Sequence, residues 1–328
     1  MAILIAELCQ NHNGDTVLLE EMVAAAAESG ADYAKIQSID SNELTFRERF
    51  ENGINEGGKV KVINRPYQKE LDRLKKLDLS NEVQINFHNI CKKYNIKPMT
   101  TIFTRGKINL VNKMNLDTLK ISSFDCASFK LIDDLKKVKA KNFIISTGAT
   151  FDREIKKTSE IMKKNNLNFA FLHCISIYPT TLEVANLNRI NFLKKFSSKV
   201  GISDHSNPEV YKYKIIAGSL VLGAEIVEKH FTILPKESTK DGVVSANSKQ
   251  LKEISRICKM NINDLNNYVK DEVNEFEIMK GNLTRELTDT ELLNRDYYQG
   301  RFASKSLSNE LIFNWDRNFK FDDIKHSL

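Results

Sequence analysis

Three hundred and twenty-eight residues, 41% apolar and 28% charged, describe one large soluble domain or a main domain with an appendage and exclude a disordered chain. Lysine and arginine number 49 against 43 acidic residues, and the surplus of +6 is spread over short runs such as Lys136, Lys137, Lys139 and Lys141. No aromatic residues are interleaved with them, so a nucleic-acid groove is not expected, while small anionic substrates are favoured.

The first run, MAILIAELCQ, has no basic leader and carries Glu7 inside its apolar stretch, so it reads as a strand, Ala2–Leu8, and not as a signal peptide. A helical pattern follows over Thr16–Ser29, introduced by Asp15. The alternation then repeats along the chain: strand Tyr33–Gln37, helix Ser80–Tyr94, strand Lys97–Ile102, helix Lys107–Lys113, strand Thr118–Ile121, helix Ser128–Val138, strand Asn142–Thr147 and helix Arg153–Asn165. Strand Asn168–Cys174, helix Thr181–Lys195, strand Lys199–Ile202, helix Glu209–Val221 with Pro208 at its head, strand Ala224–Glu228 and helix Asn247–Cys258 complete it. Eight β–α units in roughly 260 residues is the size and order of an α/β protein of the (β/α)8 TIM-barrel class. An open doubly wound sheet is the alternative, but no Gly-rich dinucleotide loop follows the first strand. The barrel is assigned to residues 1–262, a helical linker to 263–280 and a short tail to 281–328. A charged, Gly- and Asn-rich insert between Ser38 and Leu79 lies on the face where βα loops gather and reads as a lid or binding loop. Nowhere does an apolar run approach the roughly 18 residues of a membrane span. Five cysteines (Cys9, Cys91, Cys126, Cys174, Cys258), odd in number and without pairwise metal spacing, fit reduced thiols in a cytoplasmic protein.

Barrel chemistry gathers at the C-terminal ends of the strands. Those ends are polar here: Glu7 and Gln10-Asn11-His12; Lys35 and Gln37; Thr100-Thr101; Lys120, Ser122, Ser123 and Asp125; Ser146-Thr147-Gly148; His173 and Ser176-Ile177-Tyr178; Ser203-Asp204-His205; Glu228-Lys229-His230. His205 and His230 end adjacent strands, which lie about 5 Å apart, so they can converge on a divalent metal; two histidines with purely structural hydrogen bonds are the alternative. Lys35 and Lys120 sit inside strands, where an unpaired ammonium is costly. An anion cradle with Thr101, Ser123, Ser146 and Ser203 fits best, against a Schiff-base lysine or a structural ion pair with Glu7 or Asp204. His12 and His88 carry little signal, Cys9 and Cys174 read as small strand-end fillers, and Trp315 reads as a packing anchor of the tail.

The runs IAELCQNHNGD (5–15), AKIQ (34–37), TTIFTR (100–105), LKISSFD (119–125), ISTGAT (145–150), LHCISIYPT (172–180), VGISDHS (200–206) and GAEIVEKHFT (223–232) together resemble the bacterial sialic acid synthases, in order and over the whole barrel. The resemblance implies condensation of phosphoenolpyruvate with an open-chain, N-acyl mannosamine-like hexosamine to give a 3-deoxy-nonulosonic acid and phosphate. It assigns His205 and His230 to a metal, manganese first with magnesium or cobalt as alternatives. It also assigns Lys35, Thr101, Lys120, Ser123, Ser146 and Ser203 to phosphoenolpyruvate, Gln37, Tyr178 and Asp241 to the sugar, and Glu7 and Asp125 to catalysis. A homodimer is implied as well.

Departures accompany the match. Asp125 stands where the family usually has Glu, and Ser176 where it usually has Asn. The family's antifreeze-like C-terminal domain, which lends an arginine to the partner's sugar site, is resembled only by NRDYYQGRFASKSLSNELIFNWDRN at 294–318, so an N-acetyl group on the acceptor is not assumed. A 3-deoxy-octulosonate-phosphate-type synthase, a Schiff-base barrel aldolase and a catalytically silent homologue are the competing readings.

Overall fold

Strands that are apolar on both faces bury both faces, and a parallel sheet of such strands is stable when helices cover one side and the lumen is filled. In the computed structural model, which describes residues 1–306 and 310–314, this produces a closed parallel barrel; Trp315 lies outside the described residues. The strands are β1 (Ile3–Cys9), β2 (Tyr33–Ser38), β3 (Lys97–Ile102), β4 (Thr118–Ile121), β5 (Asn142–Ser146), β6 (Asn168–Cys174), β7 (Lys199–Asp204) and β8 (Ile226–His230). Each pairs with its chain neighbour, and β1 closes the ring on β8. The expected (β/α)8 architecture is what forms. β7 and β8 run two residues beyond the expected ends, which brings Asp204 and His230 into the sheet.

Side chains alternate between lumen and helix layer along each strand. Ile5, Tyr33, Met99, Ile144, Ala170, Leu172 and Ile226 fill the floor of the lumen. Leu4, Ala6, Leu8, Ala34, Ile36 and Val227 face outward into the main core against the helices. One step further along the inward positions stand Glu7, Lys35, Lys120, Ser146, Ser203 and Glu228, so the apolar floor is followed by a polar layer.

Two helices differ from expectation. Thr181–Lys195 breaks into a short 3-10 turn, Leu182–Val184, and a helix, Arg189–Leu193. Asn186 takes a left-handed φ of 45°, and the next two amides, Leu187 and Asn188, donate to Met279 and Lys280 carbonyls at 2.8 Å instead of continuing a helix. The seventh helix begins at Lys214 and not at Glu209. Asn207 captures the Glu209 amide through its side chain and the Tyr211 amide through its carbonyl, both at 2.9 Å, and Lys212 has φ 50°. The residues after Pro208 are therefore a turn. Residues 263–280 form helices Ile262–Glu272 and Phe276–Lys280, the second preceded by Glu275, which pairs with Lys214 at 2.7 Å. Among the described residues no helix is long and apolar enough to cross a membrane.

The insert after β2 is ordered into a helix Arg49–Asn52, a hairpin Ile54–Glu56 with Lys59–Val62, and a helix Tyr67–Lys75. It is gripped by the tail. Helix Asp289–Tyr298 starts with a capping box between Thr288 and Glu291, and its Tyr297 meets Phe50 edge-on at 5.1 Å. The chain then runs antiparallel to the insert: the Thr45 amide donates to Arg301 carbonyl and the Ala303 amide to Glu43 carbonyl, both at 2.9 Å. Glu70 joins the two segments by pairing with Arg73 at 2.9 Å and with Arg301. Burial alone would raise the Glu70 carboxyl, but the Arg73 and Arg301 guanidiniums overcome it and hold the group at about 2.

A carboxylate depressed in the fold from the ordinary 4.5 contributes stability that is complete above that value and is lost as pH falls toward about 2. Protection of the amides at residues 300–303, measured against their intrinsic exchange rates, is therefore expected to fall as pH drops through that window in the parent chain and to be lower already at neutral pH in Glu70→Gln. Identical exchange of the two chains at neutral pH would show that Glu70 does not tether the tail.

Candidate active site

The polar layer opens into a cavity of about 480 Å³ at the C-terminal mouth of the barrel. Glu7, Lys35, Gln37, Thr101, Lys120, Ser123, Ser146, Tyr178, Ser203, His205, His230 and Asp241 all line it, as the sequence positions suggest. Asp125 does not. Its carboxylate accepts from Ser122 and Ser128 hydroxyls at 2.8 Å and from the Asn314 amide at 3.0 Å, closing the turn after β4 and anchoring the tail. Burial raises its carboxyl while these three donors pull it back. The carboxylate therefore faces this turn and the tail and does not line the cavity in which the resemblance would have it act.

Glu228, absent from the expected site, is central to it. Lys120 Nζ reaches Glu228 Oε1 at 3.0 Å, Ser203 Oγ donates to the same oxygen at 2.8 Å, and Lys35 Nζ lies 3.5 Å from Oε2. Lys35 also pairs with Glu7 and donates to Thr101 Oγ1 at 3.0 Å. The sequence did hold a signal for Glu228, which is two residues before His230 on one strand and so shares its face. Asp204, the other carboxylate considered for the lysines, faces the helix layer and pairs with Lys229 at 2.7 Å. Burial pushes Lys35 down to about 7, against the upward pull of Glu228. Burial pushes Glu228 up, but Lys120 and Lys35 prevail and hold its carboxyl below the ordinary range.

The serines have unspent capacity. Ser146 Oγ is buried without a hydrogen-bond partner, and so are Ser176 Oγ and Glu228 Oε2. Ser123 Oγ accepts from the Gly148 amide at 3.2 Å. At Gly148 a Cβ would lie 2.4 Å from Ser176 Oγ and 2.9 Å from Ser123 Oγ, so only glycine keeps this turn against the serines. Two ammonium groups with such hydroxyls and an amide-rich turn form a cradle for a phosphate or carboxylate.

Beside the cradle, His205 and His230 stand with ring centroids 5.1 Å apart, and Tyr178 packs on His205 at 4.2 Å. Burial pushes both imidazoles down to about 3, so they are neutral at pH 7, the state a metal ligand needs. His205 Nδ1 faces the Ile175 carbonyl at 3.1 Å, which leaves Nε2 as the free lone pair. Cys9 Sγ lies 3.2 Å from His230 Nδ1, and ligand atoms of Cys9, His230 and Asp241 fall within 4.8 Å of one another. Burial, with Asp241 and Glu228, pushes the Cys9 thiol well above its ordinary value. This donor set fits a divalent cation. His173 points out of the lumen to the Ala185 carbonyl at 2.7 Å, and His12 accepts from the Gly14 amide at 3.0 Å; both are structural.

The outer wall comes from elements without a strand-end signal. Arg65 and Arg73 of the insert, Lys240 after β8, and Asn294, Tyr298 and Arg301 of the tail line the same cavity. Tyr298 stacks on Phe124 at 4.5 Å, and Asn294 donates to the Ser176 carbonyl at 3.0 Å.

A model described as the NeuB family matches residues 22–270. The N,N'-diacetyllegionaminic acid synthase of Campylobacter jejuni is 30% identical over 262 residues, spanning 76% of this chain and 73% of that protein. A pseudaminic acid synthase of Campylobacter jejuni is 29% identical over 312 residues, 94% of this chain and 84% of that one. Among solved structures, the N-acetylneuraminic acid synthetase of Leptospira borgpetersenii in complex with citrate superposes with a TM-score of 0.68 at 25% identity, covering 94% of this chain and 93% of the other.

The roles of Asp125 and Lys120 separate experimentally. Asp125→Ala leaves three donors unpaired and is expected to cost about 1–3 kcal/mol in urea unfolding, with phosphate affinity by calorimetry at the parent level. Lys120→Met is expected to abolish phosphate binding. If Asp125→Ala weakened phosphate binding as strongly, Asp125 would belong to the cradle after all.

Proposed function

The chain belongs to the NeuB family, and from that premise we propose that it condenses phosphoenolpyruvate with an open-chain, N-acyl mannosamine-like hexosamine to give a 3-deoxy-nonulosonic acid and inorganic phosphate. One observation carries this reading: two buried ammonium groups and an unpartnered Ser146 hydroxyl line the same cavity as a neutral histidine pair. Such a cavity offers an anion cradle and a cation site side by side.

In this reading Lys35 and Lys120 balance the phosphate and carboxylate of phosphoenolpyruvate, with Thr101, Ser123, Ser146 and Ser203 donating to their oxygens. Gln37, Tyr178 and Asp241 orient the acceptor, whose aldehyde carbon is attacked by C3 of the enol. His205 and His230 hold the divalent cation, manganese by resemblance, which when bound supplies Lewis-acid polarisation of the aldehyde oxygen. C2 then takes up water, and the tetrahedral carbon releases phosphate as its C–O bond breaks. Glu7, with Oε1 accepting from the Cys9 amide at 2.8 Å and its carboxylate beside Lys35, is the base for the incoming water or the sugar hydroxyl. In this reading residues 1–262 are the synthase barrel, 263–280 its helical linker and 281–328 a short C-terminal tail. Five free, buried cysteines support a cytoplasmic setting, and a homodimer is the expected assembly.

The test is phosphate release from phosphoenolpyruvate with manganese across mannosamine-, bacillosamine-type and plain hexose acceptors. Release requiring both substrates is expected, lost with chelator and lowered by at least about 10²-fold in His230→Ala and Lys120→Met. Borohydride trapping of a substrate adduct on Lys35, with no phosphate released for any acceptor, would replace the condensation with a Schiff-base aldolase; the depressed Lys35 ammonium is the observation that favours this alternative.

A further inference from the structure

We propose that Cys9 is a metal ligand, its thiolate joining His230 and Asp241 around the divalent cation, so that Asp241 serves the ion and leaves the acceptor to Gln37 and Tyr178. This rests on the reading above that the cavity holds such a cation, and it changes the chemical character of the site.

The backbone delivers the sulfur. Pairing of β1 with β2 shifts register between Glu7 and Cys9, and Cys9 takes a left-handed φ of 49°. A bulge of this kind re-aims a side chain, and a left-handed cysteine persists only when its surroundings demand it. The result is that Sγ stands 3.2 Å from Nδ1 and 3.9 Å from Nε2 of His230. Metal–sulfur and metal–nitrogen bonds of about 2.3 and 2.0–2.1 Å put neighbouring ligands about 3.1–3.6 Å apart for coordination angles of roughly 90–110°. The observed separation therefore suits two ligands of one ion. Asp241 supplies the oxygen within 4.8 Å of both. Gln37 Nε2 points at the sulfur from 3.4 Å, a donor that would support a thiolate.

The other cysteines serve as contrast. Cys91, Cys126 and Cys258 lie in the apolar core, and Cys174 Sγ accepts from the Ser123 hydroxyl at 3.3 Å. Among the described residues only Cys9 joins a histidine and a carboxylate in a ligand cluster. Binding would exchange the thiol proton for the ion, one proton released per cation bound. A thiolate beside imidazole raises the preference for cobalt or zinc over manganese or magnesium.

The experiment is cobalt titration of the full chain after chelator dialysis. The parent is expected to develop visible ligand-field bands together with a near-ultraviolet thiolate-to-cobalt charge-transfer band. Cys9→Ser should lose the charge-transfer band, keep the ligand-field bands and bind cobalt at least about tenfold more weakly; Cys174→Ser should keep both bands, and Asp241→Asn should keep the charge-transfer band. Circular dichroism of each variant checks the fold. Cobalt bound by the parent without a charge-transfer band, or a band that survives in Cys9→Ser, overturns the assignment of Cys9 alone. No cobalt absorption in the parent overturns the cation site itself and the ligand with it.

Discussion

Four charges are buried at one level of the barrel, and the rest of the site is arranged around their compensation. Lys35 and Lys120 stand on inward positions of β2 and β4, Glu7 and Glu228 on inward positions of β1 and β8, all within a lumen floored by Ile5, Met99 and Leu172. None of the four could be buried singly, because an isolated ion in such surroundings would neutralise or unfold the chain. Pairing offsets part of that penalty and leaves a formally neutral quartet. An incoming dianion then finds two ammonium groups already oriented, without having to order them. Charge neutrality without ligand and readiness for an anion are two sides of one arrangement.

Layering explains why the arrangement is rigid. Parallel closure of β1 on β8 sets Glu7 opposite both Lys35 and His230 in register, so cradle and cation site share a strand and cannot shift independently. Above them the architecture changes: the wall is built by the insert and by the tail, whose hold on each other depends on a handful of backbone hydrogen bonds and the Glu70 carboxylate. The chemistry is thus placed on strands and the outer recognition wall on loops, the usual division in barrels of this class.

Much of this was legible in the residues. Short apolar strands alternating with helical stretches announced the barrel, with three strands matching their observed bounds and the others within two residues. Strand-end positions identified the inner layer of the cavity, because alternation makes every second residue of a strand a lumen residue. Four things escaped, each for a physical reason. Asp125 was given to catalysis by the resemblance, but the turn beyond β4 directs it onto Ser122 and Ser128. Glu228 was named at a strand end and shares a face with His230, but its pairing with Lys35 and Lys120 across the lumen joins strands far apart in the sequence. Cys9 read as a filler because the bulge that turns it inward is a register shift between two strands and leaves no periodic trace. Arg65, Arg73, Tyr298 and Arg301 converge through contacts between distant segments, to which periodicity is blind.

The bridge between insert and tail also sets an order of assembly. Thr45 and Arg301 are 256 residues apart in sequence yet share a hydrogen bond across the mouth. During synthesis the insert therefore emerges long before its partner, and the barrel, whose strands pair mostly with sequence neighbours, is able to close first. The outer wall is thus the last part of the site to form, after the strands have set the charged quartet in place.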